Sequence, residues 1–215
     1  MGNRIEWLVF DLGGVLVDVA PQNHVLAEWA HLTDTDEVRL ASLLREQFTE
    51  QPFSLAEWFQ IGALDAHGFH AALNRELGRP LAFDTLIDGL ESVLVGEKTE
   101  TVRLLAELAS RYKTACYSNT NVTHWRYLHR HYGFFRHMDR AFASQEIGFA
   151  KPDHRGFEKV AGALAALPEQ CLLIDDRPVN VDGARRAGWQ ALQFVDVDTL
   201  VADMDALSIA VRGKT

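Results

Sequence analysis

The chain reads as an α/β protein, a doubly wound parallel sheet interrupted by a helical insertion. Three observations predict this. Five short apolar runs have the near-continuous hydrophobicity of strands buried on both faces. Helical periodicity fills the intervals between the later runs, the alternation that covers a parallel sheet. About a hundred residues without a strand-like run separate the first strand from the second, far more than one crossover needs.

The strand-like runs are Ile5 to Phe10, Thr114 to Tyr117, Ala141 to Ala143, Cys171 to Ile174 and Ala191 to Val195. Helices are expected over Thr123 to His131, Arg155 to Ala165 and Val179 to Ala187. Right-handed crossovers place the carboxyl ends of all the strands along one edge, where such sheets bind ligands. The long interval carries amphipathic helices instead of strands. Ser54 and Glu57 form a capping box ahead of Trp58 and Phe59. Asp34 or Thr35 is placed to cap the helix with Val38, Leu40, Leu43 and Leu44. Gly78-Arg79-Pro80 stops the helix carrying Leu73 and Leu77. The expected division is a sheet core of residues 1–18 and 96–215 with a helical cap of residues 19–95 folded over its edge.

Composition narrows the function classes. Hydrophobic residues make up 47% and charged residues 24% of 215 positions, which supports a packed core and excludes a disordered chain. Lys and Arg total 21 against 30 Asp and Glu, a net charge of -9, so the chain lacks the basic excess of nucleic-acid binders. Residues 20–95 hold 12 acids and 4 bases, concentrating the acidity in the insertion, as a solvated helix surface does. No apolar run approaches the roughly 18 residues that span a bilayer. The start, Met1-Gly2-Asn3-Arg4-Ile5-Glu6-Trp7, lacks the apolar region of a signal peptide. Cys116 and Cys171 both sit inside apolar runs and are expected as buried, reduced thiols. Together these features point to a cytoplasmic protein.

Polar residues recur at the strand ends. The first strand ends in Phe10-Asp11-Leu12-Gly13-Gly14, a carboxylate followed by a bend that exposes backbone N–H groups. Alone, this could be a turn-forming Asp. The second ends in Tyr117-Ser118-Asn119-Thr120-Asn121, residues that cap helices and also bind phosphate at a helix N-terminus. After the third, Lys151 precedes Pro152, which biases it out of helical geometry and leaves it in the loop as an anion partner. The fourth ends in Asp175-Asp176-Arg177-Pro178, with Pro178 opening a helix and Asp176 or Arg177 at its cap. Two adjacent carboxylates beside Asp11 repel one another unless neutralised, and a hard cation such as Mg²⁺ is the natural partner.

Taken in order, Asp11, Ser118, Lys151 and the Asp175-Asp176 pair resemble the four motifs of the haloacid dehalogenase-like hydrolase superfamily, with its Rossmann-like core and inserted helical cap. The segments S-N-T-N, S-Q-E-I-G-F-A-K-P-D and I-D-D-R-P-V-N-V-D-G-A look most like its sugar-phosphatase branch, typified by alpha-D-glucose-1-phosphate phosphatase. The resemblance implies phosphoryl transfer to Asp11 as nucleophile, with a small phosphorylated metabolite as substrate. It implies that Ser118 and Lys151 hold the phosphoryl oxygens, helped by the backbone N–H groups of Leu12, Gly13 and Asn119. It further implies Mg²⁺ bound by Asp11, the Gly13 carbonyl and Asp175, with Asp176 acting through water or orienting a ligand.

One position departs from the family pattern. Phosphatases of the superfamily usually carry an Asp two residues after the nucleophile as general acid and base, and here Gly13 stands there. The same lesion admits a phosphate-binding protein with weakened turnover. A haloacid dehalogenase would share the Asp nucleophile without a metal, but its family shows Tyr at the position of Gly13 and Ser-Asn at Asp175-Asp176. His124, His129 and His131 lack zinc-like spacing and read as ordinary helix residues. Trp29, Trp58 and Phe59 either line a pocket or pack the core of the insertion.

Overall fold

The computed structural model describes residues 5–21, 23–48 and 52–211. Met1 to Arg4, part of the leader reading and of the expected core, lie outside the described residues, as do Gln22, Thr49 to Gln51 and residues 212–215. Five parallel strands form the main sheet: β1 (Trp7–Phe10), β4 (Lys113–Ser118), β5 (Arg140–Ala143), β6 (Cys171–Asp175) and β7 (Gln190–Gln193), in the order β5-β4-β1-β6-β7. These are the five runs read from the sequence. Their side chains alternate between two cores, as a period of two requires. Leu8, Phe10, Cys116, Leu172 and Ile174 face one layer, and Trp7, Val9, Ala115, Leu173 and Ala191 the other. Helices α6 (Thr99–Leu108), α7 (Val122–His131) and α11 (Val197–Ala206) pack on the first layer; α9 (His154–Ala163) and α10 (Pro178–Arg186) cover the second. The short helix α8 (Ser144–Ile147) follows β5.

The interval after β1 is not strand-free. Strands β2 (Val17–Val19) and β3 (Leu94–Glu97) pair antiparallel and bracket helices α1 (Asn23–Thr33), α2 (Glu37–Leu43), α3 (Leu55–Gln60), α4 (Ala66–Glu76) and α5 (Phe83–Ser92). The two strands are short, Asp18 and Gly96 interrupt their apolar pattern, and Val19 and Val95 stay 44% and 65% exposed, so no buried run marks them. The five helices gather around their own core of Val25, Trp29, Leu40, Phe59, Phe69 and Leu73.

Local signals fare unevenly in this region. The capping box of Ser54 and Glu57 is present, with the buried Glu57 carboxylate also taking the N–H groups of Gln47 and Phe48. The cap of α2 is Asp36, not Asp34 or Thr35. Asp34 takes a left-handed turn at φ 51, and the Thr35 hydroxyl is engaged by the Gly78 N–H at 2.9 Å. Trp29 and Phe59 are core residues of the insertion, whereas Trp58 is 39% exposed.

Candidate active site

The chain builds outward from β1 through β4 to β5, then crosses to add β6 and β7 on the other side. The loops after β1, β4 and β6 therefore meet above the central strand, the position where open sheets bind ligands. Asp11 leaves β1 with its N–H on the Ile174 carbonyl at 2.8 Å. The chain then folds tightly, because the Leu12 carbonyl accepts the N–H groups of Val15, Leu16 and Val17, and Gly13 bridges to Val17. Gly14 sits at φ +78 against Asp176, and a Cβ there would collide with the Asp176 carboxylate. At this position only glycine meets both demands.

Lys151 is fully buried, the opposite of an ordinary loop lysine. Its Nζ lies 2.5 Å from Asp175 Oδ2 and 3.0 Å from Asp11 Oδ1, and 5.4 Å from the centre of the Tyr117 ring. Burial alone would lower its pKa, but the two carboxylates outweigh that and hold it above the ordinary lysine value. Burial pushes the Asp11 carboxyl up to about 7; Lys151 pulls against the shift, and Asp175 and Asp176 add to it. Burial, and then repulsion from Asp175, raise Asp176 as well.

The paired aspartates are not equivalent. Asp175 is fully buried and saturated: Oδ1 accepts the Arg177 N–H at 2.9 Å and Asn180 Nδ2 at 3.0 Å, while Oδ2 takes Lys151 Nζ. Asp176 Oδ1 is buried without a protein partner. Carboxylate oxygens of Asp11, Asp175 and Asp176 lie within 4.8 Å of one another, the single such cluster among the described residues. An all-oxygen, mutually repelling donor set with an unpartnered buried oxygen fits a hard divalent cation such as Mg²⁺.

Ser118 ends β4 and lines the same cleft as Asp11. The following residues divide their roles in a way the sequence did not reveal. Asn121 caps α7 through the N–H groups of Thr123 and His124, and Thr120 donates its N–H to Ser144 Oγ at 2.9 Å. The Asn119 side chain grips the main chain of Lys151 at both its N–H and its carbonyl. Asn180, on the first turn of α10, was also missed; its place five residues after Asp175 was the available signal. The cleft, about 420 Å³, is lined by Asp11, Gly13, Ser118, Asn119 and Asp176, and by Gln60 from the insertion. Asp11, Gly13, Ser118, Asn119 and Asp176 thus line one cleft, Lys151 and Asp175 join Asp11 through ion pairs, and Asn121 serves as a helix cap. His124 also lines this cleft, with its Nε2 bonded to the Leu90 carbonyl at 2.8 Å.

A doubly wound sheet with carboxylates and a buried lysine gathered at its carboxyl edge defines an α/β core with a charged site at that edge. More specifically, the chain belongs to the haloacid dehalogenase-like hydrolases, whose family model matches residues 5–188. It is 37% identical over 75 residues to flavin mononucleotide hydrolase 1 of Arabidopsis thaliana, covering 35% of this chain and 31% of that protein. It is 38% identical over 81 residues to a phosphatase of Mycobacterium tuberculosis, covering 35% of this chain and 37% of that protein. The matched stretch therefore spans only about a third of either relative. Among solved structures, a family enzyme from Bacteroides thetaiotaomicron, in complex with magnesium and inorganic phosphate, superposes with a TM-score of 0.76 at 22% identity. That match covers 91% of this chain and 98% of the other, and shows the shared fold. No helix among the described residues is long and apolar enough to cross a membrane.

Proposed function

We propose that the chain is a Mg²⁺-dependent phosphomonoesterase that works through an aspartyl-phosphate on a small phosphorylated metabolite, with sugar-1-phosphates preferred. The observation that carries this reading is Asp11 at the tip of the central strand, paired at 3.0 Å with a fully buried Lys151 inside the carboxylate cluster. The names of the Arabidopsis and Mycobacterium relatives support its phosphate-ester hydrolysis, and the ligands of the Bacteroides enzyme support its use of magnesium.

In this reading Asp11 attacks phosphorus, the bond to the ester oxygen breaks, and the departing oxygen takes a proton from water. A second water then attacks phosphorus of the acyl phosphate, releasing inorganic phosphate and restoring the carboxylate. Lys151 and Ser118, with the N–H groups of Leu12, Gly13 and Asn119, hold the phosphoryl oxygens, so catalysis is positioning and charge stabilisation. Asp11, the Gly13 carbonyl and Asp176 would hold the cation directly. The saturation of Asp175 by Arg177, Asn180 and Lys151 favours this division over direct binding by Asp175. When bound, the cation supplies positive charge beside the carboxylates and the phosphoryl group. Residues 19–95 act as a cap over a core formed by residues 1–18 and 96–215, excluding bulky substrates. The buried free thiols Cys116 and Cys171 accord with a reducing compartment such as the cytoplasm.

Phosphate release from a panel of phosphorylated sugars, with Mg²⁺ and with excess chelator, tests the proposal. Turnover that needs Mg²⁺ and disappears in chelator is expected. Undiminished turnover in chelator would overturn the metal-dependent mechanism.

A further inference from the structure

We infer that Gln60 is a specificity-determining residue whose carboxamide oxygen accepts a hydrogen bond from a hydroxyl on the alcohol part of the substrate. The inference rests on the hydrolase reading above. Gln60 closes α3, is only 3% exposed, and lines the cleft that holds Asp11, Ser118 and Asp176. Its Oε1 is buried and has no hydrogen-bond partner. Leaving such an acceptor unsatisfied costs about 1–3 kcal/mol, so a buried carbonyl oxygen at a cleft wall calls for a donor from the ligand. The chemistry of that donor follows. A carboxamide oxygen only accepts, and the oxygens of a phosphate dianion also only accept, so Oε1 discriminates for the hydroxylated end of the ester and not for its phosphate.

The main chain that carries this side chain is held against the β4 loop. The Gln60 carbonyl takes the hydroxyl of fully buried Ser144 at 2.6 Å, and the oxygen of that same hydroxyl accepts the Thr120 N–H at 2.9 Å. Thr120 follows Ser118 and Asn119 directly, so one side chain ties this residue of the insertion to the β4 loop. Two residues on, Gly62 lies at φ +74, and a Cβ there would collide with the Gln145 carbonyl oxygen, a close backbone approach that fixes the end of α3 against α8. A phosphate seated at Asp11 therefore shares its cleft with a residue whose main chain is anchored to the β4 loop.

The test compares hydroxylated esters (glucose-1-phosphate, glucose-6-phosphate and glycerol-3-phosphate) with p-nitrophenyl phosphate, which has no alcohol hydroxyl. Gln60→Leu removes the acceptor at similar volume. It is expected to lower kcat/KM for the best hydroxylated ester about tenfold more than for the aryl ester, mainly through KM. Gln60→Glu retains an acceptor and is expected to keep the ratio within about threefold of wild type, which covers poor folding of the leucine variant. Calorimetric titration of the Asp11→Asn chain, with and without Gln60→Leu, reads the same preference without turnover, using the hydroxylated esters against inorganic phosphate. Equal losses for hydroxylated and hydroxyl-free ligands, or no binding of any hydroxylated ester, overturn the role of Gln60. Selective binding by Gln60 in a chain that hydrolyses none of the esters overturns the hydrolase reading alone.

Discussion

Asn119 holds Lys151 by its main chain: Oδ1 accepts the Lys151 N–H at 2.7 Å and Nδ2 donates to the Lys151 carbonyl at 2.8 Å. The two residues lie 32 positions apart, on loops from different strands, and the clamp fixes the backbone that carries the buried ammonium toward Asp11 and Asp175. Its loss leaves two main-chain groups to find other partners and frees Lys151 to shift. A displacement of about 1 Å at a reacting centre costs on the order of 10²-fold in rate. Asn119→Ala is therefore expected to lower kcat by about 10–10²-fold while keeping its own backbone N–H in the phosphate site. Steady-state kinetics beside a urea unfolding curve checks this. An unchanged kcat would show that Lys151 is positioned by its ion pairs alone.

The contrast between Asp175 and Asp176 gives a second expectation. Asp175→Asn weakens a fully buried pair with Lys151, and breaking such a pair costs about 3–5 kcal/mol, so this variant should unfold at clearly lower urea. Asp176→Asn leaves the Lys151 pairs in place and removes a carboxylate with an unpartnered oxygen. It should keep its stability and need at least about tenfold more Mg²⁺ for half-maximal activity. Activation curves in Mg²⁺ together with unfolding midpoints separate the two. A reversed pattern would assign the direct metal contact to Asp175.

The pH dependence of stability should carry the mark of His124. Burial lowers its pKa from 6.5 to about 4, against the smaller opposing effect of its bond to the Leu90 carbonyl. In the unfolded chain the ring takes its proton below pH 6.5, whereas the folded chain resists until about pH 4. The unfolded state thus binds more protons in this window, and stability falls as the pH drops from 6.5 toward 4. At pH 5 the deficit is about 2 kcal/mol. His124→Gln does not titrate and can still donate to Leu90, so its stability should fall less between pH 7.5 and pH 5. Parallel curves for the two proteins would remove His124 from the account.

The sheet and the strand-tip residues were legible because each strand has an apolar centre and Asp11, Ser118 and Asp175 stand at or just after a strand end. Lys151, well beyond β5, was marked instead by Pro152. Asp11, Ser118, Lys151 and Asp175 needed no knowledge of distant contacts. What stayed hidden depends on pairs far apart in sequence. Nothing around Gln60 says that Ser144, 84 residues on, will hold its carbonyl. Asn119 reads as a helix cap until Asn121 is seen to take that task. The antiparallel pair of β2 and β3 escaped because its faces are half exposed and carry no alternation. The cap of α2 falls on Asp36, one or two residues after the Asp34 or Thr35 read from the sequence, because its side chain is the one that accepts the Arg39 N–H.

Gly13 gives the last expectation. Glycine at this position supplies no carboxylic acid to protonate the departing oxygen or to activate water in the second step. General acid–base help of this kind is worth about 10²–10⁴-fold. The enzyme should then favour esters whose oxygen leaves without a proton. The anomeric oxygen of a sugar-1-phosphate qualifies, because the ring oxygen withdraws electron density from it. Glucose-1-phosphate should accordingly be turned over at least about tenfold faster than glucose-6-phosphate, with aryl phosphate as the activated control. Gly13 also has space for a Cβ once Val19 gives slightly. A Cβ built on Gly13 meets only Val19 Cγ2, at 3.3 Å, and Val19 is 44% exposed on a short strand with room to yield. Gly14 offers no such space. Gly13→Asp should therefore fold and raise turnover of the 6-phosphate more than that of the 1-phosphate, narrowing the gap between them. Equal rates for the two esters in the wild-type chain would mean that another group already delivers the proton. A ratio untouched by Gly13→Asp would mean that proton transfer does not limit the reaction.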